Sequence, residues 1–179
     1  MVTIQETAMP VDYAYPTPVA LPAQSAVIRV YPSVQLADAY AIRLPPGASQ
    51  DPEVLARFMF ANQPAWVAML MRVRDAIVSA FGLKTGKHLA TLAASARLER
   101  VGIFKIYSKN ATEIVVGEDD SHLDFRVSVL CTNAELTVST VVHCHNRLGR
   151  IYLLLIAPFH RMVVKASLRR AATIGWPRD

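Results

Sequence analysis

Between Val101 and His145 the chain reads as four extended runs separated by turns of only two or three residues, and that spacing leaves little choice of architecture. The runs are Val101–Ser108, Thr112–Glu118, Ser121–Cys131 and Glu135–His145, with turn residues at Lys109-Asn110 and Thr132-Asn133. Connections that short join antiparallel neighbours, because a parallel crossover needs a dozen residues or more. Asn146 then caps a long helix expected to reach about Ala172, with a bend where Pro158 removes a backbone donor. Ile151, Leu154, Leu155, Phe159, Met162, Val163 and Leu168 are the positions expected to face the sheet.

Upstream, Asp38–Leu44 alternates with Tyr40, Ile42 and Leu44 on one side and stops at Pro45-Pro46-Gly47, a strand and a turn. Asp51-Pro52-Glu53 starts a helix: the aspartate caps, the proline suits the first turn, and the glutamate complements the dipole. That helix is expected to end near Ala61, before Gln63-Pro64. A second carries Trp66, Met69, Leu70, Val73, Ile77 and Phe81 at helical spacing and stops at Gly82. Residues 83–100 show no clean period; Lys84, Lys87 and His88 read as loop, and Leu92–Leu98 as a helical turn or an irregular crossover. Residues 1–25 hold Pro10, Pro16, Pro18 and Pro22 with Tyr13 and Tyr15, an extended arm. The expected organisation is thus this arm, a single domain over 26–173 and a tail at 174–179. Its class is α+β: a curved antiparallel sheet wrapped around a long C-terminal helix, with two short helices after the first strand. Such a wrap commonly leaves a cavity.

Of the 179 residues 53% are hydrophobic and 18% charged, which excludes a mainly disordered chain. Cys131 and Cys144, the two cysteines, are too few for a disulfide scaffold or a cysteine-rich zinc site. The net charge is +5, with seven cations against one acid from Arg147 onward. Cations suit a helix C-terminus, and no aromatic residues interleave with them as base stacking requires, so nucleic acid is not expected as a partner. The longest apolar run, Ile151–Phe159, is too short to span a bilayer, and the acidic, proline-broken start is no secretory signal. The expected compartment is the cytoplasm.

Several pieces carry a resemblance: Ala37–Pro45, Gly82-Leu-Lys-Thr85, Gly117–Arg126, Val142-His-Cys-His-Asn146 running into Gly149-Arg150, and Pro158-Phe-His160. Over roughly 27–173 the chain resembles the bacterial family catalogued as domain of unknown function 2867. Members of that family occur alone or behind a nucleotide-binding dehydrogenase-like domain, and no Gly-x-Gly-x-x-Gly follows a strand here. The resemblance implies kinship with the helix-grip superfamily of Bet v 1-like and polyketide-cyclase-like domains, which bind or transform hydrophobic small molecules. It implies no catalytic residue.

The residues themselves offer four constellations. In His122-Leu-Asp124-Phe-Arg126-Val-Ser128 the polar residues share one strand face, able to bind a polar head or to move protons, with Asp124 orienting His122 and Arg126 steadying an oxyanion. The bland alternative is a solvent face whose charges pair across strands. His143 and His145 point the same way and can chelate a metal, but spacing ties no third ligand to them, so no metal is expected. Glu118-Asp119-Asp120 is either a carboxylate site or an ordinary acidic turn, the turn being favoured. Asn146-Arg-Leu-Gly-Arg150 is a helix cap that also offers N–H groups and guanidiniums to an anion.

The expected function is binding of a small apolar or amphipathic molecule between sheet and terminal helix, with Tyr40, Trp66, His145, Asn146, Arg150 and Phe159 as candidate ligand contacts. The alternative is a cofactor-independent cyclase, dehydratase or isomerase using His122 or His143 as base, with Asp124 and Arg126 assisting. A second alternative is a protein-interaction module docking through the basic helix. The sequence leaves ligand identity and oligomeric state open.

Overall fold

Among the described residues seven strands, antiparallel throughout, form one curved open sheet in the order β1-β2-β7-β6-β5-β4-β3. They are β1 (Thr17–Val19), β2 (Leu36–Arg43), β3 (Arg100–Val101), β4 (Phe104–Lys109), β5 (Glu113–Asp119), β6 (Leu123–Thr132) and β7 (Glu135–Cys144). The helices are α1 (Pro52–Ala61), α2 (Ala65–Ala80) and α3 (Arg147–Ile174). The computed structural model describes residues 13–80 and 99–178, residues 73–80 as backbone only. The start of the Pro-rich arm, the side chains of Val73 and Ile77, the stop at Phe81-Gly82 and the loop reading of 83–98 lie outside the described residues.

Local chemistry accounts for most of these boundaries. Asp51 accepts from the Glu53 and Val54 backbone N–H groups, so α1 starts where a cap and a first-turn proline coincide. The β6–β7 hairpin turns on Asn133 and Ala134, both at positive φ, a primed turn that matches strand twist. Asn146 caps α3 by accepting from Gly149 N–H at 3.0 Å. The run from Val101 to Ser108 is not one strand. Gly102, at φ +60°, turns the chain so that Val101 pairs with Phe104, and β3 and β4 form a hairpin. Within the arm, Thr17–Val19 pairs with Ala39–Ala41 of β2 and adds an edge strand.

The two sheet faces differ. Helices pack on one, where Tyr40, Ile42, Ile114, Val116, Val127, Val129, Leu136 and Val138 meet Leu55, Ala56 and Met59 of α1 and Leu168 and Ala171 of α3. Chain segment 20–35 crosses the other face, burying Val27 against Val115 and Val141. Here α3 departs from expectation. Its buried residues are Gly149, Leu153, Ser167, Leu168 and Ala171, whereas Ile151, Leu154, Leu155, Phe159 and Met162 face outward. Both stripes are apolar, so hydrophobic period alone does not decide which one meets the sheet.

Candidate functional site

The strand set singled out in the sequence lies on the face away from the helices. Asp124, Arg126 and Ser128 alternate with Leu123, Phe125 and Val127, and it is the second group that joins the helix-side clusters. Arg126 is buried, 2.8 Å from Asp119 and 3.4 Å above the Tyr107 ring, and Tyr107 donates to the same carboxylate at 2.7 Å. Burial disfavours the charged Asp119, but the Tyr107 and Arg126 donors outweigh it and hold this carboxyl below the usual range. Burial also pushes the Tyr31 and Tyr107 hydroxyls well up.

Asp124 does not orient His122. It pairs across the strands with His145 at 3.0 Å and accepts from the Asp120 N–H. His122 stands just before β6, its Nδ1 2.8 Å from the Asn146 side-chain nitrogen, while its carbonyl accepts from His145 N–H. His143 stacks on Tyr31 at 5.6 Å, meets Ser33 through Nδ1, and stands edge-on to His145 at 5.2 Å. Among the described residues no three His, Cys, Asp or Glu side chains are grouped to hold a metal ion. These contacts tie segment 31–33 and the start of α3 to the sheet. His122 and His143 are engaged in these ties, and Asp124 and Arg126 in their pairs with His145 and Asp119.

Open space lies on the helix side. The interface of the sheet with the C-terminal half of α3 is filled by Leu168, Ala171, Val164 and the core beneath them. Beside the N-terminal half is a groove of about 480 Å³ walled by Gln35, Leu36, Arg150, Leu153, Leu154, Ala157, Pro158 and Arg161. Because Pro158 has no N–H, the Leu154 carbonyl in this wall lacks its helical donor. Next to Arg161 sits Asp38, with Oδ2 3.5 Å from Arg161 Nε and Oδ1 3.4 Å from His160 Nε2. Among the described residues neither carboxylate oxygen has a partner at hydrogen-bond geometry, nor does the hydroxyl of Thr140, the residue opposite Asp38 on β7. A carboxylate and a hydroxyl left this way under a helix are costly unless something polar reaches them.

A family model described as a protein of unknown function, DUF2867, matches residues 30–167. The chain belongs to the DUF2867 family. No curated protein matches it. No solved structure matches it either. The stretch matched by the DUF2867 model includes every groove residue, together with Asp38 and His160.

Of the predicted ligand contacts, Arg150 alone lines the groove. Tyr40 is core, with the Lys165 ammonium 5.5 Å from its ring and its hydroxyl pushed up by burial and by Asp38. Trp66 on α2 and Phe159 on α3 are exposed, and His145 and Asn146 belong to the ties above. Sequence reasoning passed over Asp38, His160 and Arg161. The signal for Asp38 was the strand period itself, which puts a carboxylate on the same side as Tyr40 and Ile42. His160 and Arg161 carry no such signal until the buried face of α3 is known.

Proposed function

We propose that this DUF2867 chain binds a small amphipathic molecule, an apolar body with an anionic head, in the groove beside α3. The observation that carries the reading is the wall: Leu36, Leu153, Leu154, Ala157 and Pro158 supply apolar lining, and Arg150 and Arg161 line the same groove. Small-molecule sites combine mostly apolar lining with a few polar groups that fix orientation, in volumes of about 300–1,000 Å³. Guanidiniums favour a carboxylate or phosphate head, which they grip with parallel N–H bonds.

Decanoate and decanol serve as matched probes. Decanoate should raise the melting temperature and bind measurably by calorimetry. Arg150→Gln with Arg161→Gln should weaken decanoate about 10-fold or more, the value of a charge-assisted hydrogen bond, and leave decanol little changed. Absence of any thermal shift with either probe at millimolar concentration overturns the proposal.

A catalytic version, a cofactor-independent cyclase, dehydratase or isomerase, has one observation in its favour: the Asp38–His160 pair beside Arg161 at the groove end. A carboxylate set against an imidazole is an acid–base pair, and the neighbouring guanidinium suits developing negative charge. In that version Asp38→Asn abolishes turnover and leaves binding intact. In the carrier version it does no more than alter affinity.

A further inference from the structure

We infer that α3 lays its outward face on an anionic lipid surface. Ile151, Leu155, Pro158 and Met162 follow one another at helical spacing along a single line, flanked by Leu154 and Phe159. None of the large ones is covered: Leu154 is 76% exposed, Leu155 61%, Ile151 57%, Met162 56% and Phe159 46%. An apolar patch of that size on a protein surface marks an interaction site.

Charge identifies the occupant. α3 carries six Lys or Arg and no Asp or Glu, more positive charge than the whole chain's net +5. The cations bracket the patch, with Arg147 and Arg150 at its start and Lys165, Arg169 and Arg170 beyond its end. Among the described residues none of these five is paired with a carboxylate; Lys165 and Arg169 rest on the rings of Tyr40 and Tyr15. A second copy of the chain does not fit, because parallel or antiparallel pairing of two such helices sets cation against cation. A convex ridge with one aromatic also lacks the fitted anchor pocket of a protein interface. A bilayer with anionic headgroups answers both halves. The apolar line, ~17 Å from Ile151 to Met162 at 1.5 Å per residue, sinks to the headgroup–acyl boundary while the bracketing cations reach phosphates. The helix is as long as a membrane-crossing one and contains an 18-residue window of mean hydropathy 1.4, yet its packing against the sheet leaves it lying along the surface.

The patch shares Arg150, Leu154 and Pro158 with the groove wall, so the variants that test it lie outside the groove. The full chain is sedimented with vesicles of phosphatidylcholine alone and of phosphatidylcholine with phosphatidylglycerol. Binding is expected to the second kind only, falling steeply between 50 and 500 mM salt as surface charge is screened. Ile151→Ser with Leu155→Ser should weaken it at least 10-fold, as should Arg147→Gln with Arg170→Gln, both variants keeping the parent circular dichroism spectrum. In Leu155→Trp a blue shift of the tryptophan emission on adding anionic vesicles reports burial of the line itself. Equal binding to both vesicle types, or none to anionic vesicles at low salt, overturns the inference. So does a dimer of the parent chain that becomes monomeric in the Ile151→Ser, Leu155→Ser variant while vesicles fail to bind.

Discussion

Gly149 sits in the first turn of α3, where alanine would ordinarily be worth about 1 kcal/mol more than glycine. A methyl group there would stand 2.2 Å from the His122 carbonyl oxygen, which already accepts from His145 N–H. Backbone meets backbone, so the neighbour cannot swing aside. Gly149→Ala is therefore expected to destabilise by about 1–3 kcal/mol, the cost of overpacking, and urea denaturation measures it. A second residue-scale expectation concerns acid. Asp119 has a folded-state pKa below its ordinary value, so its contribution is complete above about pH 4 and is lost as pH falls through the lowered value. Asp119→Asn should flatten the acid side of a plot of melting temperature against pH and leave the neutral side parallel to the parent. At this scale the sequence was legible in part. The alternation of His122-Leu-Asp124-Phe-Arg126 separated the two faces of β6 correctly, and cross-strand pairing is what Asp124 and Arg126 do. Which face meets the helices depends on how the flanking chain is laid down, and no residue in the run records that.

Among the elements, the segment before β2 has the clearest consequence. Glu113 is buried in the sheet, and its carboxylate accepts from the Ser25 and Ser128 hydroxyls, both at 2.5 Å, and from Ala26 N–H at 3.0 Å. One side chain thus pins the 3-10 turn Ala26–Arg29 across the outer face of the sheet. Glu113→Ala removes the acceptor from three donors and should cost about 3 kcal/mol, with Glu113→Gln milder because one oxygen remains. The same variants should hasten tryptic cleavage after Arg29, exposed within the pinned turn, and an unchanged cleavage rate would argue against the pin. None of this was visible as an arm rich in proline. Extended chain without a period does not announce the surface it crosses. The helices were more legible, since Asp51-Pro52 and Asn146 state their own starts. The buried side of α3 was not, because its outward stripe is as hydrophobic as its inward one.

At the scale of the whole molecule, antiparallel order followed from short connections, and the α+β class from the helices on either side of them, whereas five strands were expected and seven are present among the described residues. The two extra strands come from the hairpin β3–β4, Gly102 being a breaker inside an otherwise continuous run, and from Thr17–Val19, an edge strand inside what read only as an extended arm. The groove was out of reach of the sequence. It needs Gln35 and Leu36 on one wall and α3 on the other, residues that only the pairing of β2 with β7 brings together. That pairing also sets a timetable for biosynthesis. Leu36 opposes Val142 and Arg43 opposes Glu135, so β2 leaves the ribosome long before its inner neighbour has been translated. Until the final hairpin emerges, Tyr40 and Ile42 are sticky, unshielded nascent chain, the kind of surface through which unfinished proteins aggregate.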